Sequence, residues 1–94
     1  MALSSPGHMA PKKPRMAEGL DVNETDDGLI IYQESTDRVH HLNPTAAVVF
    51  ELCDGTRSTD EIAVLVAETF GLGNAPVLET TACLESLAGE KLIG

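Results

Sequence analysis

Ninety-four residues, 43% of them hydrophobic, are enough for one small domain and no second core, and a domain this small must use nearly every good apolar position. The chain carries fifteen Asp and Glu against six Lys and Arg, and all fifteen acids lie from Glu18 onward, so residues 16–94 alone carry −12. A field of that sign repels phosphate backbones, which proteins bind by neutralising them with Lys and Arg, so nucleic acid is not an expected partner. No apolar run approaches the ~20 residues of a membrane span, and the first residues lack the apolar stretch of a secretory signal. The expectation is a soluble, cytoplasmic protein with no membrane partner.

Residues 1–17 hold three of the five prolines and show no hydrophobic period, which predicts a disordered tail. Gly7-His8-Met9 resembles a protease-and-cloning scar, and the basic cluster Lys12-Lys13-Pro14-Arg15 reads as part of a solvated tail. From Leu20 the period becomes two. Leu20 and Val22 alternate with Asp21 and Asn23 as a half-buried strand. Thr25-Asp26-Asp27-Gly28 follows as a hairpin turn, and Leu29-Ile30-Ile31-Tyr32 as a β-branched and aromatic second strand. A second turn over Glu34–Asp37 leads to a third strand, Arg38-Val39-His40-His41-Leu42, completing an antiparallel meander.

At Asn43 the pattern changes to helical. Asn43 suits the N-cap and Pro44 the first helical position, and the apolar run to Asp54 predicts a central helix ended by Gly55. A second helix opens at Ser58, with Glu61 completing a capping box, places Ile62, Leu65, Val66 and Phe70 on one face, and closes at Gly71. After a loop over residues 72–75, Pro76 starts a third helix with Val77, Thr81, Leu84 and Ala88 in one stripe, and Leu92-Ile93 packs back as an apolar tail. The predicted class is α+β: a winged-helix-like domain over residues 18–94, a three-stranded antiparallel meander followed by three α-helices.

Three stretches are more specific than that outline: His41-Leu42-Asn43-Pro44-Thr45-Ala46-Ala47, Glu51-Leu52-Cys53-Asp54-Gly55-Thr56-Arg57-Ser58 and Asp60-Glu61-Ile62-Ala63. They resemble the signature of the PqqD-like family, the pyrroloquinoline-quinone synthesis protein D family, whose members are also called RiPP recognition elements. Each stretch is also good capping and turn chemistry, so by itself it argues for the fold before the activity. The resemblance implies a non-catalytic peptide chaperone without cofactor. Its partners would be the leader of a ribosomally made precursor peptide and a maturation enzyme such as a radical-SAM protein or cyclodehydratase. In such modules the leader adds as a strand to the outer edge of the third strand, beside the third helix. Carried onto this chain, the peptide-binding residues are Arg38, Val39, His40 and His41 on the edge. Leu78, Ala82 and Glu85, with Thr81 beside them, form the helical wall. The chain departs from the family where an Asp-Val pair is replaced by Thr80-Thr81 and a closing Gly-Leu by Lys91-Leu92. It also has the shorter, generic lead into the first helix, which argues against assignment to the quinone pathway itself.

Other readings have less to stand on. No nucleophile–base signature surrounds a Ser, Cys or His, so no enzyme is expected. Cys53 and Cys83 lie thirty residues apart in apolar helical surroundings and read as small buried hydrophobes. His40 and His41 point to opposite faces of a strand and do not suit one metal ion. Which of them faces the groove stays open, and one facing the peptide would make affinity pH-dependent. A winged-helix regulator would read DNA with residues 58–71, which contain Asp60, Glu61 and Glu68 and no Lys or Arg. A protein-only adaptor remains as the alternative to peptide binding. The free third strand allows a monomer or a weak homodimer.

Overall fold

The computed structural model describes residues 12–94; residues 1–11, with the Gly7-His8-Met9 stretch, lie outside the described residues. The elements run β1 (Leu20–Thr25), β2 (Gly28–Gln33), β3 (Arg38–Leu42), α1 (Pro44–Glu51), α2 (Thr59–Phe70) and α3 (Val77–Gly89). Three antiparallel strands in the order β1-β2-β3 are followed by three helices, as expected. The hairpin register pairs Thr25 with Gly28 and leaves Asp26-Asp27 as the turn, while Leu29 pairs with Leu42 and Ile31 with His40. Gly28 is required here: its φ is +137°, and a Cβ would sit 1.9 Å from the Leu42 carbonyl oxygen.

Alternation divides the sheet into two faces. Leu29, Ile31 and Gln33 are buried, so they and their partners Leu42, His40 and Arg38 look toward the helices. α1 is the hub, packed against β2, β3, α2 and α3, with Val49 and Phe50 fully buried. Asn43 Oδ1 accepts from the Ala46 N–H at 2.8 Å, the expected N-cap. The predicted run to Asp54 is corrected, because the helix stops at Glu51 with Leu52 as its C-cap. The physical reason lies in the segment predicted to be disordered. Pro14 is buried, its carbonyl accepts from Gly55 N–H, and Met16 N–H donates to Cys53. Arg15 exchanges both backbone bonds with Gly94, and Ala17 N–H donates to Leu92. Residues 14–17 thus form a strap joining the end of α1 to the chain terminus, which corrects the expectation of disorder for that part of the tail. Composition could not show this, since the contacts are made by backbone groups.

The capping box of α2 is present, with Ser58 Oγ accepting from Glu61 N–H and Glu61 Oε1 from Ser58 N–H. Gly71 closes the helix in the left-handed region at φ 66°. Its buried face is Ile62, Ala63, Val66 and Ala67, rotated from the predicted stripe so that Phe70 is 41% exposed. The stripe of α3 is corrected in the same sense. Thr80, Leu84 and Leu87 are buried, whereas Val77 stands 38% exposed beyond the reach of the core. Leu92 and Ile93 do pack back, at 1% and 4% exposure. No helix of the described residues is long and apolar enough to cross a membrane.

α3 ends in a Schellman arrangement: Leu92 N–H donates to Leu87 and Lys91 N–H to Ala88. Lys91 therefore occupies the left-handed position at φ 62°, where Gly is the residue that helix ends usually place. A side chain there costs roughly 1–2 kcal/mol. Lys91→Gly is expected to raise unfolding stability by about 1 kcal/mol in urea denaturation, part of the gain being offset by glycine's freedom in the unfolded chain. Ser58→Ala is expected to cost about 1 kcal/mol. The Ser58 backbone and hydroxyl bonds hold the Glu61 carboxyl below its ordinary range. That contribution is present above the unfolded carboxylate pKa and lost as pH falls through the lower folded value. Urea melts of the wild type and Glu61→Ala should therefore draw together in acid, whereas the Ser58→Ala cost, which comes from the lost bond to Glu61 N–H, should persist.

Candidate functional site

The site begins with an edge. Among the described residues β3 pairs only with β2, so its outer N–H and C=O groups are free. β1 is the other edge, and it carries Asp21 and Glu24 beside the turn acids Asp26 and Asp27. Charges of this kind discourage strand pairing. β3, reading Arg38-Val39-His40-His41-Leu42, has no acid. α3 does not block it, since no residue pair between β3 and α3 comes within 8 Å from Cα to Cα. Strands in a sheet lie about 4.8 Å apart, so nothing in α3 occupies the first place beside β3.

The residues expected on the edge divide between its faces. Val39, 55% exposed, and His41 lie on the open face opposite Tyr32 and Ile30. Arg38 and His40 lie on the helical side, opposite Gln33 and Ile31. This settles the two histidines: His40 is turned toward the helices with its side chain 9% exposed, and His41 is exposed on the other face. On α3, Leu78 is 82% exposed, Ala82 is exposed, and Thr81 and Glu85 are half-buried. These four share one flank of the helix at spacings of three and four, away from the buried Thr80, Leu84 and Leu87. A hollow of about 440 Å³ sits at the Leu42 end of the edge, lined by Thr25, Asp27, Leu29, Ile30, His41, Leu42 and Asn43.

At the Arg38 end a polar network joins the sheet to the chain just past α3. Gln33, 5% exposed, donates through Nε2 to the carbonyls of Glu90 at 3.2 Å and Lys91 at 3.4 Å. Its Oε1 accepts from the Thr36 hydroxyl at 2.9 Å and lies 2.9 Å from His40 Nε2. The Glu90 carboxylate lies 3.6 Å from Arg38 Nη1 and 3.9 Å from His40 Nδ1. Sequence reasoning missed Gln33 and Glu90. The signal for Gln33 was present: it is the third residue of the period Leu29, Ile31, Gln33, so the alternation points an amide into the core. Nothing local marked Glu90. On the turn, Tyr32 donates to Asp37 Oδ1 at 2.6 Å, and that bond to a carboxylate raises its pKa.

Comparison with known proteins agrees with this architecture. The family model for coenzyme PQQ synthesis protein D (PqqD) matches residues 28–93, most of the chain. The chain belongs to the PqqD family. The PqqD match takes in β2, β3 and all three helices, hence both the free edge and the flank of α3. Among solved structures, TbiB1 in complex with the TbiA(β) leader peptide superposes with a TM-score of 0.71 at 15% identity, over 84% of this chain and 93% of that one. The solution structure of the PqqD truncation of Methylobacterium extorquens PqqCD, described as a functional stand-alone RiPP recognition element, gives 0.63 at 21% identity, over 86% and 87%. At these identities the two structures speak for the PqqD fold. No curated protein matches the chain.

The thiols of this PqqD-family chain are held as neutral groups. Burial, the nearby Cys83 and the charge of Asp54 push Cys53 up to about 12, and its Sγ donates to the Val49 carbonyl. Burial raises Cys83 as well. The thiolate is the reactive form, so timed alkylation at pH 8 should leave Cys53 unmodified and Cys83 slower than a free thiol. Both should react fully in denaturant, as read by intact mass.

Proposed function

We propose that this domain binds the leader of a ribosomally made precursor peptide as a fourth strand on the outer edge of β3, and presents it to a separate maturation enzyme in the cytoplasm while catalysing no step itself. The observation that carries the reading is the contrast between the two sheet edges in a PqqD-family chain: β1 is guarded by acids, β3 is not and has no helix over it. Strand addition gives affinity through main-chain bonds and specificity through side chains next to the added strand. Arg38, Val39, His40 and His41 would flank the peptide on its sheet side, and Leu78, Thr81, Ala82 and Glu85 on its helix side. The complex of TbiB1 with a leader peptide and the recognition-element description of the Methylobacterium extorquens truncation support the same reading. A radical-SAM protein or a cyclodehydratase is the class of maturase we propose.

The charge distribution selects the peptide's sign. Glu79 and Glu85 stand on α3, Glu34 and Asp37 beside the start of β3, and residues 16–94 carry −12. A basic leader is therefore favoured, and its affinity should fall as salt rises, because exposed charges are screened. Calorimetric titration with the leader peptides encoded beside the gene should give saturable binding. Amide shifts should concentrate at Arg38–His41 and Leu78–Glu85. Glu85→Lys is expected to weaken binding about three- to tenfold at low salt, with less effect at high salt. A folded spectrum that no adjacent leader perturbs would instead favour a protein-only adaptor.

A further inference from the structure

We infer that Gln33 is a positioning residue for the peptide-binding edge: its buried side-chain amide ties β3 to the backbone just beyond α3 and so sets where the edge stands relative to that helix. The inference rests on the reading of β3 as the peptide edge. It names a residue that would not touch the peptide and would act through His40.

The Gln33 side-chain amide has all its hydrogen-bonding positions engaged. A Gln side chain has two donors and two acceptor positions. Here Nε2 faces two carbonyls, Glu90 and Lys91, and Oε1 faces the Thr36 hydroxyl and His40 Nε2. Because carbonyls only accept, the orientation of the amide is determined, and Oε1 must be the acceptor for both remaining partners. His40 Nε2 therefore carries its proton, which leaves Nδ1 of the neutral ring facing Glu90. A fully satisfied buried network admits little slack, since shifting one member leaves another unpaired in a low-dielectric site.

The placement gives the network its role. α1 and β2 support β3 from one side, but β3 and α3 make no close backbone approach anywhere along their lengths. At the Arg38 end, the hydrogen bonds and ion pairs of the described residues join them through Gln33, His40 and Glu90, with the exposed Arg38–Glu90 pair in addition. That pair, at 61% and 44% side-chain exposure, is solvated and adaptable. The amide is the rigid element. It also holds the carbonyl of Lys91, the residue in the left-handed conformation that ends α3. Opening of β3 from the end of α3 would have to break the Gln33 bonds.

Gln33→Met keeps the length and flexibility of the side chain while removing the amide. In the wild type, long-range ¹⁵N spectra should show neutral His40 as the Nε2–H tautomer, and relaxation dispersion should be flat over Arg38–Leu42. In Gln33→Met the tautomer preference should fade and microsecond-to-millisecond exchange should appear at those amides. The dissociation constant for a leader peptide that binds the wild type should rise about tenfold, because an edge that must be reordered binds more weakly. Should Gln33→Met give no cooperative melt, Gln33→Glu reads the same tie, since it retains the size and the acceptor for His40 but lacks the donor. A wild-type His40 found as the Nδ1–H tautomer overturns the inference. So does a folded Gln33 variant with unchanged dispersion and leader affinity within twofold of wild type. If no adjacent leader binds even the wild type, the peptide reading fails, and the tie is judged by tautomer and dispersion alone.

Discussion

Eight residues of α1 carry the packing of the whole domain. The helix touches β2, β3, α2 and α3, and it presents Val49 and Phe50 with no exposed surface. A helix of about two turns, with Ala47, Val49 and Phe50 buried and Thr45 and Glu51 exposed, is too short to stand by itself, so its ends must be held from outside. Asn43 and Pro44 hold the start. At the other end Arg57 donates to the Leu52 carbonyl and pairs with Asp54 at 3.0 Å, while the strap of residues 14–17 takes up the backbone groups of Cys53 and Gly55. In so small a domain the single core leaves little redundancy, and residues 14–17 and 92–94 are recruited to close it.

The consequence for function is an asymmetry between the two flanks of the sheet. α1 supports β3 from its inner face, yet no helix covers its outer edge. An open edge is a hazard that proteins ordinarily suppress with charge, and β1 shows that device in Asp21 and Glu24. On β3 it is missing, while the surrounding domain is strongly acidic. General repulsion between copies of a −9 chain can oppose self-pairing without spoiling the edge for a basic peptide. The same charge opposes a phosphate backbone, since α2 offers Asp60, Glu61 and Glu68 and no Lys or Arg.

Positioning at the Arg38 end and strain at the end of α3 meet in one place. Lys91 holds a left-handed backbone, and its carbonyl is one of the two that Gln33 engages. The cost of a side chain at this left-handed position is thus local, and the amide that binds there helps to hold the strained turn in place. His40, drawn inward by the same network, leaves Val39 and His41 as the side chains that the open face of the edge displays.

Much of this was determined by sequence alone: strand order, the turn acids, the Asn43 cap, the Ser58–Glu61 box and the Gly71 stop all follow from contacts within a few residues, where identity and spacing suffice. The edge residues Arg38–His41 were legible for the same reason, since their strand is bounded by turn and cap signals and the family resemblance pointed to that strand. Tertiary structure decided what depends on groups distant in the chain. The strap was hidden because its bonds come from backbone atoms that every residue possesses. The early end of α1 followed from that strap, and the rotated faces of α2 and α3 from which side met α1. Local pattern left the facing of His40 and His41 open, because Val39 and Leu42 fall on opposite faces; burial of Ile31 across the sheet resolved it. Gln33 was visible as a polar residue at an apolar period, but its partners lie 57 and 58 residues away, and only the folded chain brings them within reach.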